Sequence, residues 1–192
     1  LIFINFQNAQ LGKDHLTGLY NRRALDSFLQ SKVQGNTRKL VAGVMIDLNS
    51  FKEINDTYGH ECGDRVLQYT AEILQKTFRK NDFVARFGGD EFVVIMEINS
   101  KDDLSKVIDR LHENTDQFNS RDMLPYKIDL SVGYDYASPE QRMSGEFLKH
   151  IDSLMYQDKN KSKTGSTIPL IISEDQLFSE LKRSGKKKAK KN

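Results

Sequence analysis

Two adjacent carboxylates, Asp90 and Glu91, follow Gly88 and Gly89 in ARFGGDEFVV (residues 85–94), and a third, Asp47, closes the apolar run KLVAGVMIDL (39–48). If the strand ending near Asp47 lies beside the hairpin whose tip carries Asp90 and Glu91, all three share one end of one sheet. Like charges about 4 Å apart at an effective dielectric near 20 repel by ~4 kcal/mol per pair, so such a cluster is favourable only around something positive. Hard oxygen ligands without nearby His or Cys favour Mg²⁺ (or Mn²⁺) over zinc, and Mg²⁺ keeps waters and takes phosphate oxygens. The chemistry implied is that of a nucleoside triphosphate. Taken alone, a Gly-Gly-Asp-Glu string reads first as a polar turn, so the weight falls on what surrounds it.

The elements that must place these carboxylates are visible as hydrophobic periodicity. Asn21 caps a helix in which Leu25, Phe28, Leu29 and Val33 recur at helical spacing. The 39–48 run, with Gly43 inside it, reads as a central strand buried on both faces. Two helices follow: SFKEINDTY with Phe51, Ile54 and Tyr58 on one face, and DRVLQYTAEILQKTF with Val66, Leu67, Ile73 and Leu74. Gly59 and Gly63 punctuate the join. Residues 83–87 and 92–97 read as two strands of a hairpin, in which Gly88 and Gly89 are expected to supply positive φ angles. Helical segments at 102–118 and 145–160 flank a strand at 127–135, and STIPLIIS (166–173) reads as a last strand. From the 39–48 strand onward the order is β-α-α-β-β-α-β-α-β. The expected fold is α/β (α+β): a sandwich whose central, mostly antiparallel five-stranded sheet is flanked by helices.

A chain of 192 residues, 38% hydrophobic and 29% charged, suits one globular domain with appendages. The net charge of +2 hides an asymmetry, because Lys182–Asn192 holds seven of the 29 basic residues and leaves 22 basic against 27 acidic before it. That tail could meet nucleic acid or an anionic membrane, but without aromatics or a fold it reads as a disordered terminus. Cys62 stands alone, which excludes an intrachain disulfide and fits a reducing cytoplasm. No apolar run approaches the roughly 18 residues that span a bilayer. The apolar opening LIFINF, beginning at Leu1, suggests a piece excised from a longer protein, such as the cytoplasmic part of a membrane-attached sensor.

DHLTGLYNRRAL (14–25), DLNSFKEINDTYGHECGD (47–64) and RFGGDEF (86–92) occur in that order, and together they resemble the GGDEF family of diguanylate cyclase domains. The resemblance covers residues 13–168, leaving 1–12 as a linker or stalk end and 169–192 as a C-terminal extension. It implies a fold similar to nucleotidyl cyclases and polymerase palm domains, and the condensation of two GTP into cyclic di-GMP with release of two pyrophosphates. By resemblance, Asp47, the Leu48 carbonyl and Asp90 hold Mg²⁺ with Glu91 assisting, and Asp90 is the proton acceptor for the attacking 3′-hydroxyl. Glycines at 88 and 89 would let the backbone approach the phosphates.

Asn55 and Asp64 match the family's guanine readers; a carboxylate can accept from guanine N1–H and the exocyclic amine, which adenine cannot offer. Taken alone, Asn55 could equally be a turn residue. His60 lies close enough in sequence to help shape that pocket, or is a solvated loop histidine. Lys52 and the Phe51 backbone match triphosphate contacts, as do Lys159 and Lys163, which without the family would read as a solvated helix end. Ser162-Lys163 stands where the family has Gly-Arg; lysine keeps the charge but loses the bidentate fork. Arg79 and Asp82 in RKND match an Arg-x-x-Asp product-inhibition site; elsewhere they would be a weak ion pair. The partners implied are GTP, cyclic di-GMP, a second copy of the domain and an upstream sensor, with no specific nucleic acid. The alternative is a catalytically silent domain that receives GTP or cyclic di-GMP.

Overall fold

The computed structural model describes residues 12–32, 40–137 and 145–163. Its elements are β1 (Tyr20–Asn21), α1 (Arg22–Lys32), β2 (Leu40–Leu48), α2 (Phe51–Tyr58), α3 (His60–Thr77), β3 (Phe83–Arg86), β4 (Glu91–Ile98), α4 (Lys101–Asn119), β5 (Leu130–Ala137) and α5 (Gly145–Lys163). The sheet has five strands in the order β1-β3-β4-β2-β5. β2, β4, β3 and β5 pair antiparallel, whereas β1 runs parallel to β3.

Alternation along the central strands divides the core. Val44, Ile46, Phe92 and Val94 face one layer with Ile54, Val66, Leu67, Leu74, Leu104 and Leu111, which come from α2, α3 and α4. Met45, Val93 and Ile95 face the other, with Leu25 of α1 and Ile151 and Met155 of α5. Such two-sided burial is why β2 reads as an unbroken apolar run. α5 lies close on β5: a Cβ at Gly133 would collide with the Ile151 carbonyl and the Met155 amide of the helix backbone.

Two element starts are corrected, and one expected strand falls outside the described residues. The fifth described strand is Tyr20–Asn21, too short to show periodicity, while 166–173 lies outside the described residues, as do Val33 and Lys39. Asn21 still caps α1, accepting from the Ala24 N–H at 3.0 Å. The strand expected from 127 begins at Leu130, because the Asn119 amide accepts from the Ile128 N–H and donates to its carbonyl, each at 2.8 Å, holding that residue outside the ladder. α3 starts at His60 rather than Asp64: Gly59, at φ 83°, turns the chain at once and its carbonyl takes the Cys62 and Gly63 N–H groups.

Candidate functional site

Register places the acidic residues. Asp47 of β2 stands opposite Glu91 of β4, and the Leu48 N–H donates to the Asp90 carbonyl at 3.1 Å, carrying the ladder one rung past the end of β4. That bond pattern makes Asp47 and Glu91 a close, non-hydrogen-bonded pair, whose side chains lean together. Both share the parity of Met45 and Val93 and so lie on the face covered by α5. Like charges directly opposite each other destabilise a sheet. The Asp47 side chain is 7% exposed, and Lys159 of α5 reaches it with Nζ 2.6 Å from Oδ1. Burial first, then the Asp47, Asp90 and Asp152 charges, push the Glu91 carboxyl above its ordinary value; Lys159 opposes them.

The turn between β3 and β4 is built differently from the expected one. Among the described residues the positive-φ glycines are Gly18 and Gly59, and neither Gly88 nor Gly89 is one of them. The turn is held instead by bonds: Phe87 and Gly88 N–H groups donate to the Glu91 carbonyl at 2.8 and 3.2 Å, and the Arg86 guanidinium donates twice to the Gly89 carbonyl, at 3.2 and 2.7 Å. A Cβ at Gly88 would meet the end of the Glu91 side chain, which would have to swing aside, whereas a Cβ at Gly89 would face open space. Arg86 is anchored in turn by Asp14, 3.3 Å from both carboxylate oxygens. Asp14 also accepts from the Thr17 N–H and hydroxyl at 2.9 and 2.7 Å. Burial raises the Asp14 carboxyl, but the Thr17 bonds and Arg86 outweigh it and hold it below the ordinary range. Asp14 and Arg86 lie inside the motifs singled out above, yet nothing in the sequence pairs them across 72 positions.

Beyond β2 the chain turns sharply. The Asn49 amide donates to Asp129 at 2.9 Å and accepts from the Ser131 hydroxyl at 2.7 Å, and Ser50 adopts φ 56°, ψ 23° to start α2. Phe51 and the exposed Lys52 therefore open a helix directly beyond the strand that carries Asp47. Asn55 sits against the first turn of α3, where a Cβ at Gly63 would strike its amide oxygen. Asp64 follows Gly63 and is exposed, so the two expected base readers are brought to neighbouring helices. His60 is exposed at the start of α3.

Lys163 ends α5, but its side chain lies outside the described part. Arg79 and Asp82 close a turn between α3 and β3: the Asp82 carboxylate accepts from the Arg79 N–H at 2.8 Å, and the Asp82 N–H donates to the Arg79 carbonyl at 2.9 Å. Burial raises the Asp82 carboxyl against the lowering effect of Arg79 and Arg110. The Arg79 side chain is exposed.

The donor set fits a hard dication: Glu91, whose carboxyl is raised by burial and then by its carboxylate neighbours, stands opposite a buried Asp47 that already draws a cation. Among the described residues, however, no three His, Cys, Asp or Glu side chains stand ready arranged around one point. Lys159 engages Asp47, and the Glu91 carboxylate folds over Gly88.

The family model described as the diguanylate cyclase GGDEF domain matches residues 12–165. The chain is 31% identical over 158 residues to the probable diguanylate cyclase DgcC of Escherichia coli (strain K12), covering 81% of this chain and 43% of that protein. It is 37% identical over 153 residues to the response regulator PleD of Caulobacter vibrioides (strain NA1000 / CB15N), covering 76% and 33% respectively. It thus spans less than half the length of either relative. Among solved structures, the coiled coil and GGDEF domain of DgcB from Caulobacter crescentus, in complex with c-di-GMP, is similar with a TM-score of 0.72 at 26% identity, over 83% of this chain and 86% of that one.

Proposed function

The chain belongs to the GGDEF family of diguanylate cyclase domains, and from that premise we propose that it joins two GTP molecules into cyclic di-GMP, releasing two pyrophosphates. The observation that carries this reading is the pairing of Asp47 with Glu91 across β2 and β4, with Asp90 one residue away and Lys159 at hand. In each of two steps a 3′-oxygen attacks the α-phosphorus of the other GTP. One P–O bond forms, the bond to the β-phosphate oxygen breaks, and Asp90 takes the hydroxyl proton. Asp47, the Leu48 carbonyl, Asp90 and Glu91 would hold Mg²⁺ or Mn²⁺, which when bound would neutralise charge on the phosphate oxygens. Lys52, Lys159, Lys163 and the Phe51 backbone bind the triphosphate, Asn55 and Asp64 read guanine with His60 at the pocket's edge, and open space at Gly89 leaves room for phosphate.

Each domain holds one GTP, so synthesis takes two domains face to face; alignment of the reactants contributes about 7–11 kcal/mol. Arg79 and Asp82 bind the product and slow the enzyme. The test is incubation with GTP and Mg²⁺ and chromatography of the products over a range of protein concentrations. Wild type is expected to yield cyclic di-GMP, with more product per molecule as the protein is concentrated. Asp90→Ala is expected to lose at least ~100-fold, and Arg79→Ala to continue at product levels that stall wild type. Intact GTP at every wild-type concentration would favour the silent receptor.

A further inference from the structure

The ammonium of Lys159 is seated on the most buried carboxylate of the acidic pair, and α5 is fixed so as to keep it there. One residue earlier, the Asp158 carboxylate accepts from the Val132 backbone N–H at 2.9 Å. Val132 forms a non-hydrogen-bonded pair with Ile46, as the Asn49 N–H to Asp129 carbonyl bond sets the register, so its N–H faces away from β2 on the outer edge of the sheet. One to two turns back, at Met155 and Ile151, the helix backbone rests on Gly133. α5 is thus pinned at Gly133 and at Val132, and the second pin adjoins Lys159. A lysine held this way neutralises charge on Asp47, and among the described residues the carboxylates share no common point for an ion.

We propose that Lys159 is a tethered counter-ion of the acidic pair, held on Asp47 through the positioning residue Asp158, and that it transfers to the nucleotide phosphates when substrate and dication enter together. This rests on the reading of the pair as a dication site. Its consequence is that Lys159 opposes dication binding while no nucleotide is present and assists it when nucleotide arrives, so that a metal ion alone is a poor ligand. Charge-assisted bonds of this kind are strong enough for their loss to be measurable.

Calorimetric titration of Mn²⁺ into the full chain, with and without a non-hydrolysable GTP analogue, tests this. Without nucleotide, Lys159→Met is expected to bind Mn²⁺ about ten-fold tighter than wild type, and with the analogue to lose that advantage. Asp158→Ala is expected to bind nucleotide-free Mn²⁺ a few-fold tighter although it removes a negative charge, whereas Asp158→Asn, which retains an acceptor for the Val132 N–H, should match wild type; circular dichroism verifies that each variant is folded. Unchanged or weaker Mn²⁺ binding by folded Lys159→Met, with normal uptake by wild type plus analogue, would overturn the counter-ion role alone. Failure of wild type to take up Mn²⁺ even with the analogue would overturn the dication site itself, and the inference with it.

Discussion

Glu91 shows how a single residue's environment can work against stability. Its folded carboxyl titrates above the ordinary glutamate value because it is partly buried and faces Asp47 and Asp90. A carboxyl raised by folding holds its proton more tightly in the native state, so its contribution to stability falls as pH rises from the ordinary value through the raised one. Glu91→Gln is therefore expected to raise the ligand-free melting temperature at neutral pH by about 2 °C, the scale of one relieved cross-strand repulsion. The advantage should vanish in acid, and thermal melts at several pH values would show it; an equal gain at every pH would contradict this origin. The sequence disclosed the three carboxylates because their spacing is local or ends a strand. It did not disclose Lys159 on Asp47, or Arg86 between Asp14 and the Gly89 carbonyl, since those contacts join distant segments and depend on side-chain directions that periodicity does not encode.

At the scale of elements, periodicity found the long helices and the two-sided central strands, where burial writes a strong pattern. It missed β1, because two residues carry no period, and it assigned the turn at Gly88 and Gly89 to positive φ where hydrogen bonds to Glu91 and Arg86 do the holding. The seating of α5 on β5 was likewise invisible, although Gly133 marks it. Gly133→Ala would drive a methyl group into the helix backbone. The expected cost is about 2 kcal/mol, in the range of overpacked cores, seen as a melting temperature lower by roughly 6 °C. Turnover should fall with it, because the helix that moves carries Lys159. A variant with unchanged melting temperature would show that α5 does not lie this close.

Across the whole molecule, a mostly antiparallel sheet gathers charged residues from three separate stretches of chain at one end. Asp47 arrives on β2, Glu91 at the start of β4 with Asp90 just before it, and Lys159 on the last helix. The order of the motifs made this architecture legible; the precise meeting of charges depends on how the layers pack. Central to the account is that the acidic pair is a seat for a dication together with a guanosine triphosphate. Calorimetry of GTP binding with Mg²⁺ and then with a chelator, in wild type and Asp47→Asn, tests it most directly. Wild type is expected to bind GTP far more tightly with Mg²⁺ than with chelator, and Asp47→Asn to lose that difference. Equal binding by wild type with Mg²⁺ and with chelator would contradict it.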